Sequence, residues 1–173
     1  MTKNEQNLLQ NGDILLRRGY GFVSDYIVTT LNEPLALTHC GIVERAGEVC
    51  KIISSESDEL QGIDGVQSTS LSVFLRDAQP NSIVAVRLKN TNIAQRNALV
   101  TMAKYYEKRK KAFDYGFNAQ DSSTFYCAEF LKIVIKNTLK QDILNETIQK
   151  STIKLLTMRQ FYDTTKFEIV FKQ

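Results

Sequence analysis

Histidine occurs once in this 173-residue chain, proline twice and cysteine three times. One imidazole and three thiols, with no CxxC spacing, exclude most structural zinc sites, and no metal or cofactor is expected. The two prolines, Pro34 and Pro80, leave no proline-rich linker, and no repeat or low-complexity stretch appears. No apolar run approaches the roughly 18 residues of a membrane span, so no integral membrane segment is expected. A formal charge of +3 is too small for a dedicated nucleic-acid binder. Cys40, Cys50 and Cys127 cannot all pair within one chain, and reduced thiols in a reducing compartment are the simpler reading. The stretch from Met1 to Gly12 is polar and lacks the basic-then-apolar pattern of a signal peptide. The expected location is therefore the cytoplasm for the chain as it stands, and the periplasm or beyond if a signal peptide has been removed.

What is present is ordinary for a soluble globular protein, with hydrophobic residues at 43% and charged residues at 24%. The length predicts one domain over residues 1–173. Ile14-Leu15-Leu16 reads as a first strand, and Phe22 to Leu31 as a helix ended by Asn32-Glu33-Pro34. Thr38 to Arg45 and Glu48 to Ser54 read as a hairpin around Gly47. Gly62 to Ser70 reads as loop or irregular strand, and Leu71 to Arg76 as a short helix. Ser82 to Leu88 is apolar on both faces, which predicts a central strand. Asn90-Thr91-Asn92 offers caps for a long helix from Ile93 to Lys110, with Ala94, Ala98, Met102 and Tyr105 as its apolar stripe. A polar, aromatic loop from Phe113 to Thr124 leads into a second strong helix, Phe125 to Asn137, and Phe167 to Phe171 is a last strand. Strands early and late with helices between predict an α+β fold with an antiparallel sheet packed against helices.

Cys127 falls in the first turn of a predicted helix, behind a capping run Asp121-Ser122-Ser123-Thr124. Free amides and the positive end of the helix dipole stabilise a thiolate there, and the same amides can hold an oxyanion. The competing reading is a small buried residue on the core face. His39 is the only imidazole available to pair with it. A two-residue turn at Gly47-Glu48 places Glu56 opposite His39, whereas a turn at Ala46-Gly47 places Ser54 opposite and Glu56 on the diagonal. Under either register Glu56 shares a face with His39 and can orient the imidazole. A three-residue turn reverses the parity and makes Glu44 the competitor. Glu129 points about 200° away from Cys127 around the helix and reads as a helix-start carboxylate. Cys40 and Cys50 fall on opposite faces of the hairpin and read as packing residues. The cations Lys104, Lys108, Arg109, Lys110 and Lys111 read as a solvated helix C-terminus.

Several short segments occur in a familiar order: Gly12-Asp13-Ile14-Leu15, Thr38-His39-Cys40-Gly41-Ile42-Val43, Phe113-Asp114-Tyr115 and Phe125-Tyr126-Cys127-Ala128-Glu129-Phe130. Together they resemble the circularly permuted NlpC-like cysteine hydrolases, especially the YaeF/YiiX group of permuted papain-like amidases. The lecithin retinol acyltransferase-like proteins share the order of His ahead of Cys. The resemblance runs from Gly12 to about Lys136. It implies a papain-like fold of bacterial type, with Cys127 as nucleophile at a helix N-terminus, His39 as base on a facing strand and a polar third residue where Glu56 stands. Two positions depart from the family pattern. Ala128 replaces the serine after the cysteine, and Phe113-Asp114 replaces a Tyr-Asp motif. The missing hydroxyl leaves Tyr115 as the candidate substrate-binding residue.

The expected activity is hydrolysis of an amide in a small peptide, cell-wall peptide fragment or amino-acid amide, through an acyl-enzyme on Cys127. The alternatives are a lipid-like acyl substrate, cleaved at an ester or thioester or transferred to an acceptor, and a binding protein without turnover. A redox-sensing thiol ranks last, because Cys40 faces the opposite way from its neighbour His39. On that ranking Cys40→Ser, which keeps a donor at position 40, is expected to leave hydrolysis intact in a turnover assay.

Overall fold

The computed structural model describes all residues except Glu33, 58–63, 119–122 and 151–152, and the side chain of Lys150. Six strands form one antiparallel sheet in the order β4-β3-β2-β1-β5-β8. These are β1 (Ile14–Arg17), β2 (His39–Ala46), β3 (Val49–Glu56), β4 (Gly65–Ser70), β5 (Val84–Leu88) and β8 (Phe167–Lys172). A separate hairpin pairs β6 (Thr147–Lys150) with β7 (Ile153–Leu156). The helices are α1 (Lys3–Leu8), α2 (Phe22–Leu31), α3 (Leu71–Arg76), α4 (Ile93–Lys108) and α5 (Cys127–Leu139). Among the described residues, no helix is long and apolar enough to cross a membrane.

Strand alternation divides the interior into two cores. Ile14, Leu16, Cys40, Ile42, Ile53, Val84 and Val86 point to the face covered by α2, α4 and α5. Leu15, Val43, Ile52 and Ala85 point to the other, where Leu71 and Phe74 of α3 cover them. Strand β5 lies between β1 and β8 with both faces buried, as its sequence predicts. Cys40 and Cys50 fall in different cores, and all three cysteines are free.

Two expectations need correction. Ala94 and Ala98 of α4 are exposed, and its buried residues are Leu99, Val100 and Ala103. Leucine and valine have more apolar area to hide than alanine, so they set which face turns inward. Gly65 to Ser70 is a regular edge strand; Gly62 lies outside the described residues. The elements α1, β6 and β7 carry no clear sequence signal. Helix α1 buries nothing and is held by a capping box between Thr2 and Glu5, and the tail beyond Lys140 contains no glycine or proline to mark a turn.

Gly65 ties the loop before α5 to the sheet edge. Its φ of +92° suits glycine, and a Cβ there would stand 2.1 Å from the Lys111 carbonyl oxygen. The Val66 amide donates to that oxygen at 2.8 Å, and the Phe125 amide donates to the Ala112 carbonyl at 3.0 Å. Gly65→Ala is expected to lower unfolding stability by about 2 kcal/mol or more in urea titrations, from combined backbone strain and clash.

Candidate active site

The hairpin register decides which groups can meet. Ala46 pairs with Val49 and Ile42 with Ile53, so the turn is Gly47-Glu48 and the ladder, continued, sets His39 opposite Glu56. Gly47 takes φ +61° at the first turn position, as a type II′ turn requires. Of the two registers open from sequence, this is the one adopted. His39 Nε2 lies 2.9 Å from Glu56 Oε1, and the Ser54 hydroxyl donates to the same oxygen at 2.7 Å. Glu44 is not a competitor, because its carboxylate holds Lys104.

A cation that no sequence motif marks completes the row. Arg17 is the residue of β1 paired with His39. Its guanidinium lies 3.5 Å from Glu56 Oε2, donates to the Phe74 carbonyl at 3.1 Å and stacks 4.6 Å above the Phe74 ring. The signal was available: an arginine directly after Ile14-Leu15-Leu16 sits at a parity that faces the interior. Arg17, His39 and Glu56 are all buried.

Cys127 is the first residue of α5. Tyr126, extended and buried, is the N-cap, and among the described residues no side chain caps the helix. Of the expected capping run, Ser123 and Thr124 are separated from the helix by Phe125 and Tyr126, and Asp121 and Ser122 lie outside the described residues. The first-turn amides of α5 have no partner within the helix, which leaves them for an oxyanion. The Cys127 thiol donates to the Thr38 carbonyl at 3.8 Å, and His39 and Cys40 stand close enough to act on its ionisation. Since Nε2 of His39 is occupied by Glu56, Nδ1 is the nitrogen left for the sulfur. Cys40 does face away from His39, yet the face it takes is the one α5 covers, so it touches Cys127. Strand parity relative to His39 alone does not reveal that contact.

These contacts shift the ionisation of all three groups. Hydrogen bonding from the Cys40 thiol, and the hydrogen bond and positive charge of His39, hold Cys127 well below its ordinary pKa against the opposing effect of burial. Burial and the adjacent Cys127 sulfur push Cys40 well up. Burial alone would lower His39, but the Glu56 carboxylate outweighs it and raises the imidazole to about 9. Burial alone would raise Glu56, but the charge and hydrogen bond of His39, with Arg17 behind, bring it to about 2. The arrangement favours a thiolate–imidazolium pair at neutral pH, backed by an ionised carboxylate.

A cleft reaches Cys127 and His39 between α2 and the loop before α5, with Val23, Ile27, Phe113 and Phe117 among its apolar lining and Tyr20 at its edge. Tyr115 is not brought to this cleft. It is half exposed, with its ring edge-on to Phe113 at 5.0 Å. Asp114 accepts hydrogen bonds from the Gly116 and Asn118 amides, and this tight turn directs Phe113 and Phe117 inward. Glu129 is buried in the first turn of α5. The tail hairpin lies behind the site rather than over it: the Leu156 amide donates to the Tyr126 hydroxyl at 2.9 Å.

No family model matches this chain, and no curated protein does. Among solved structures, the chain is similar to a crystal structure of the metalloprotein YiiX from Escherichia coli O157:H7, with a TM-score of 0.76. The match covers 95% of this chain and 97% of YiiX at 16% identity. The chain therefore has a YiiX-like fold.

The lone histidine makes the electrostatics directly measurable. NMR titration is expected to show the His39 imidazole protonated until about pH 9. Glu56→Gln removes the carboxylate that favours the charged ring, so the midpoint falls to the ordinary range near 6.5 or below. A midpoint unmoved by Glu56→Gln contradicts the coupling.

Proposed function

We propose that this protein is a cysteine hydrolase with a permuted papain-like site, in which Cys127 is the nucleophile, His39 the acid and base, and Glu56 the orienting group. The observation that carries the reading is the 2.9 Å contact between His39 Nε2 and Glu56 Oε1, with Cys127 lining the same cleft as His39. It is the arrangement in which a third group fixes the tautomer and charge of the base.

In the resting site the thiolate faces the imidazolium. The thiolate attacks a carbonyl carbon in the cleft, and the developing oxyanion is met by the amides at the start of α5. The imidazolium gives its proton to the leaving group, and a thioester remains on Cys127. The now neutral His39 takes a proton from water, whose oxygen attacks the thioester, and the thiolate returns as the acid product leaves. A proton donor kept charged beside the sulfur suits an amide, whose amine must be protonated to depart. The apolar lining of Val23, Ile27, Phe113 and Phe117 favours a second substrate class, a lipid-like acyl ester or thioester, cleaved or transferred at the same sulfur.

YiiX is described as a metalloprotein, but the residues here do not fit a metal. His39 Nε2 is engaged by Glu56, and the other Glu56 oxygen faces a guanidinium. Among the described residues no group of three or more His, Cys, Asp or Glu side chains could hold an ion.

The test is the alkylation rate of each cysteine against pH, read by mass spectrometry. Cys127 is expected to react fast well below pH 8, and His39→Ala to slow it by about 100-fold at neutral pH. A panel of amides and esters then identifies the bond, with Cys127→Ala abolishing turnover and the acyl-enzyme seen as a mass increment. A Cys127 that titrates like a free thiol, indifferent to His39, overturns the hydrolase reading.

A further inference from the structure

We infer that Arg17 is a positioning residue of this site: a buried cation that fixes Glu56 from behind and sets the pH range over which the Cys127–His39 pair stays ionised. The inference rests on the nucleophile reading above.

Arg17, His39 and Glu56 stand side by side on β1, β2 and β3, on one face of the sheet. The two Glu56 oxygens divide the work. Oε1 takes the short bonds, from His39 at 2.9 Å and Ser54 at 2.7 Å, while Oε2 faces Arg17 at 3.5 Å. A distance of 3.5 Å is long for a charge-assisted hydrogen bond, so Arg17 acts on Glu56 through its field more than through a clamp. The guanidinium is tied to Phe74 through its carbonyl and ring but left unpaired at another nitrogen. Its Nε is buried and, among the described residues, has no hydrogen-bond partner, and its side chain is only 2% exposed. A neutral side chain would avoid that cost, so the positive charge is what the position requires.

The charges facing Arg17 come from every element packed around it. Glu56 and His39 approach from the sheet, Cys127 from α5, and Arg76 and Asp77 from the end of α3. Asp77 lies 4.0 Å from Arg17 but is also held by Arg76, at 2.9 and 3.3 Å, so it neutralises Arg17 only in part. With the thiolate and imidazolium formed, three positive and three negative charges stand together and the cluster is neutral. Phe74 links them sterically: the Arg17 guanidinium stacks on its ring and the His39 ring lies 5.7 Å from it.

Removing the Arg17 charge leaves this cluster one unit negative, and every proton in it is held more tightly. The thiol of Cys127 then ionises at higher pH, so the acid limb of its reactivity moves up. The imidazolium of His39 also persists to higher pH, so the alkaline limb moves up as well. A residue that only packed would lower stability or amplitude and leave both limbs in place.

The experiment is the Cys127 alkylation profile, with the His39 NMR titration beside it, in wild type, Arg17→Gln and Arg17→Lys, each checked for folding by circular dichroism. Arg17→Gln is expected to move both limbs upward by about one pH unit, and Arg17→Lys to keep them at the wild-type position. An activated wild type with a superimposable Arg17→Gln profile overturns this inference alone. A wild-type Cys127 that behaves as an ordinary thiol overturns the hydrolase reading and this inference with it. Should Arg17→Gln fail to fold, Asp77→Asn asks the same question with the opposite sign. It frees the Arg17 field and is expected to move both limbs downward, and an unchanged profile there overturns the inference.

Discussion

A carboxylate hidden from water against a hidden imidazole is the constraint around which this molecule is organised. Taking either charge out of solvent costs several kcal/mol on its own. The contact at 2.9 Å is sustainable only because Ser54 and Arg17 occupy the remaining oxygen positions of Glu56 and Phe74 offers Arg17 a carbonyl and a ring face. Each of these partners depends on strand order. Arg17 reaches the row because β1 lies beside β2, and Glu56 because the Gly47-Glu48 turn fixes the parity of β3.

Cys127 arrives from the other side of the sheet. Helix α5 packs on the face where Cys40 and Ile42 point, while His39 and Glu56 belong to the face under α3. Thiol and imidazole meet because Cys127 is the first residue of its helix and His39 the first residue of its strand, where neither sheet nor helix separates them. The loop before α5 is pinned on both flanks, at Gly65 by the sheet edge and at Tyr126 by the tail hairpin.

Much of this was legible in the amino-acid order. Alternation in β2 and β3, with one glycine at the turn, limited Glu56 to two positions on the His39 face. The apolar spacing of Phe130, Leu131, Val134 and Ile135 marked the buried side of α5. What sequence could not reveal was long-range pairing. Arg17 was inconspicuous until β1 was known to lie beside β2, and the Cys40–Cys127 contact needed to be seen across the sheet. Tyr115 and the capping run failed for a local reason: the Asp114 turn and the extended Phe125-Tyr126 pair reset which side chains face the cleft. In α4 the alanine stripe misled because spacing alone does not weigh how much surface each residue hides.

That the site is shared between two cores has a bearing on how the protein would fail with heat. Cys127 is carried by the larger packing unit, and Arg17, His39 and Glu56 rest on the smaller one under α3. Loosening either unit parts sulfur from ring, although the other still holds most of its strands. Loss of the Cys127–His39 juxtaposition on heating therefore tracks the weaker of the two packings rather than global melting, and a preparation can retain nearly all of its secondary structure with the two side chains apart.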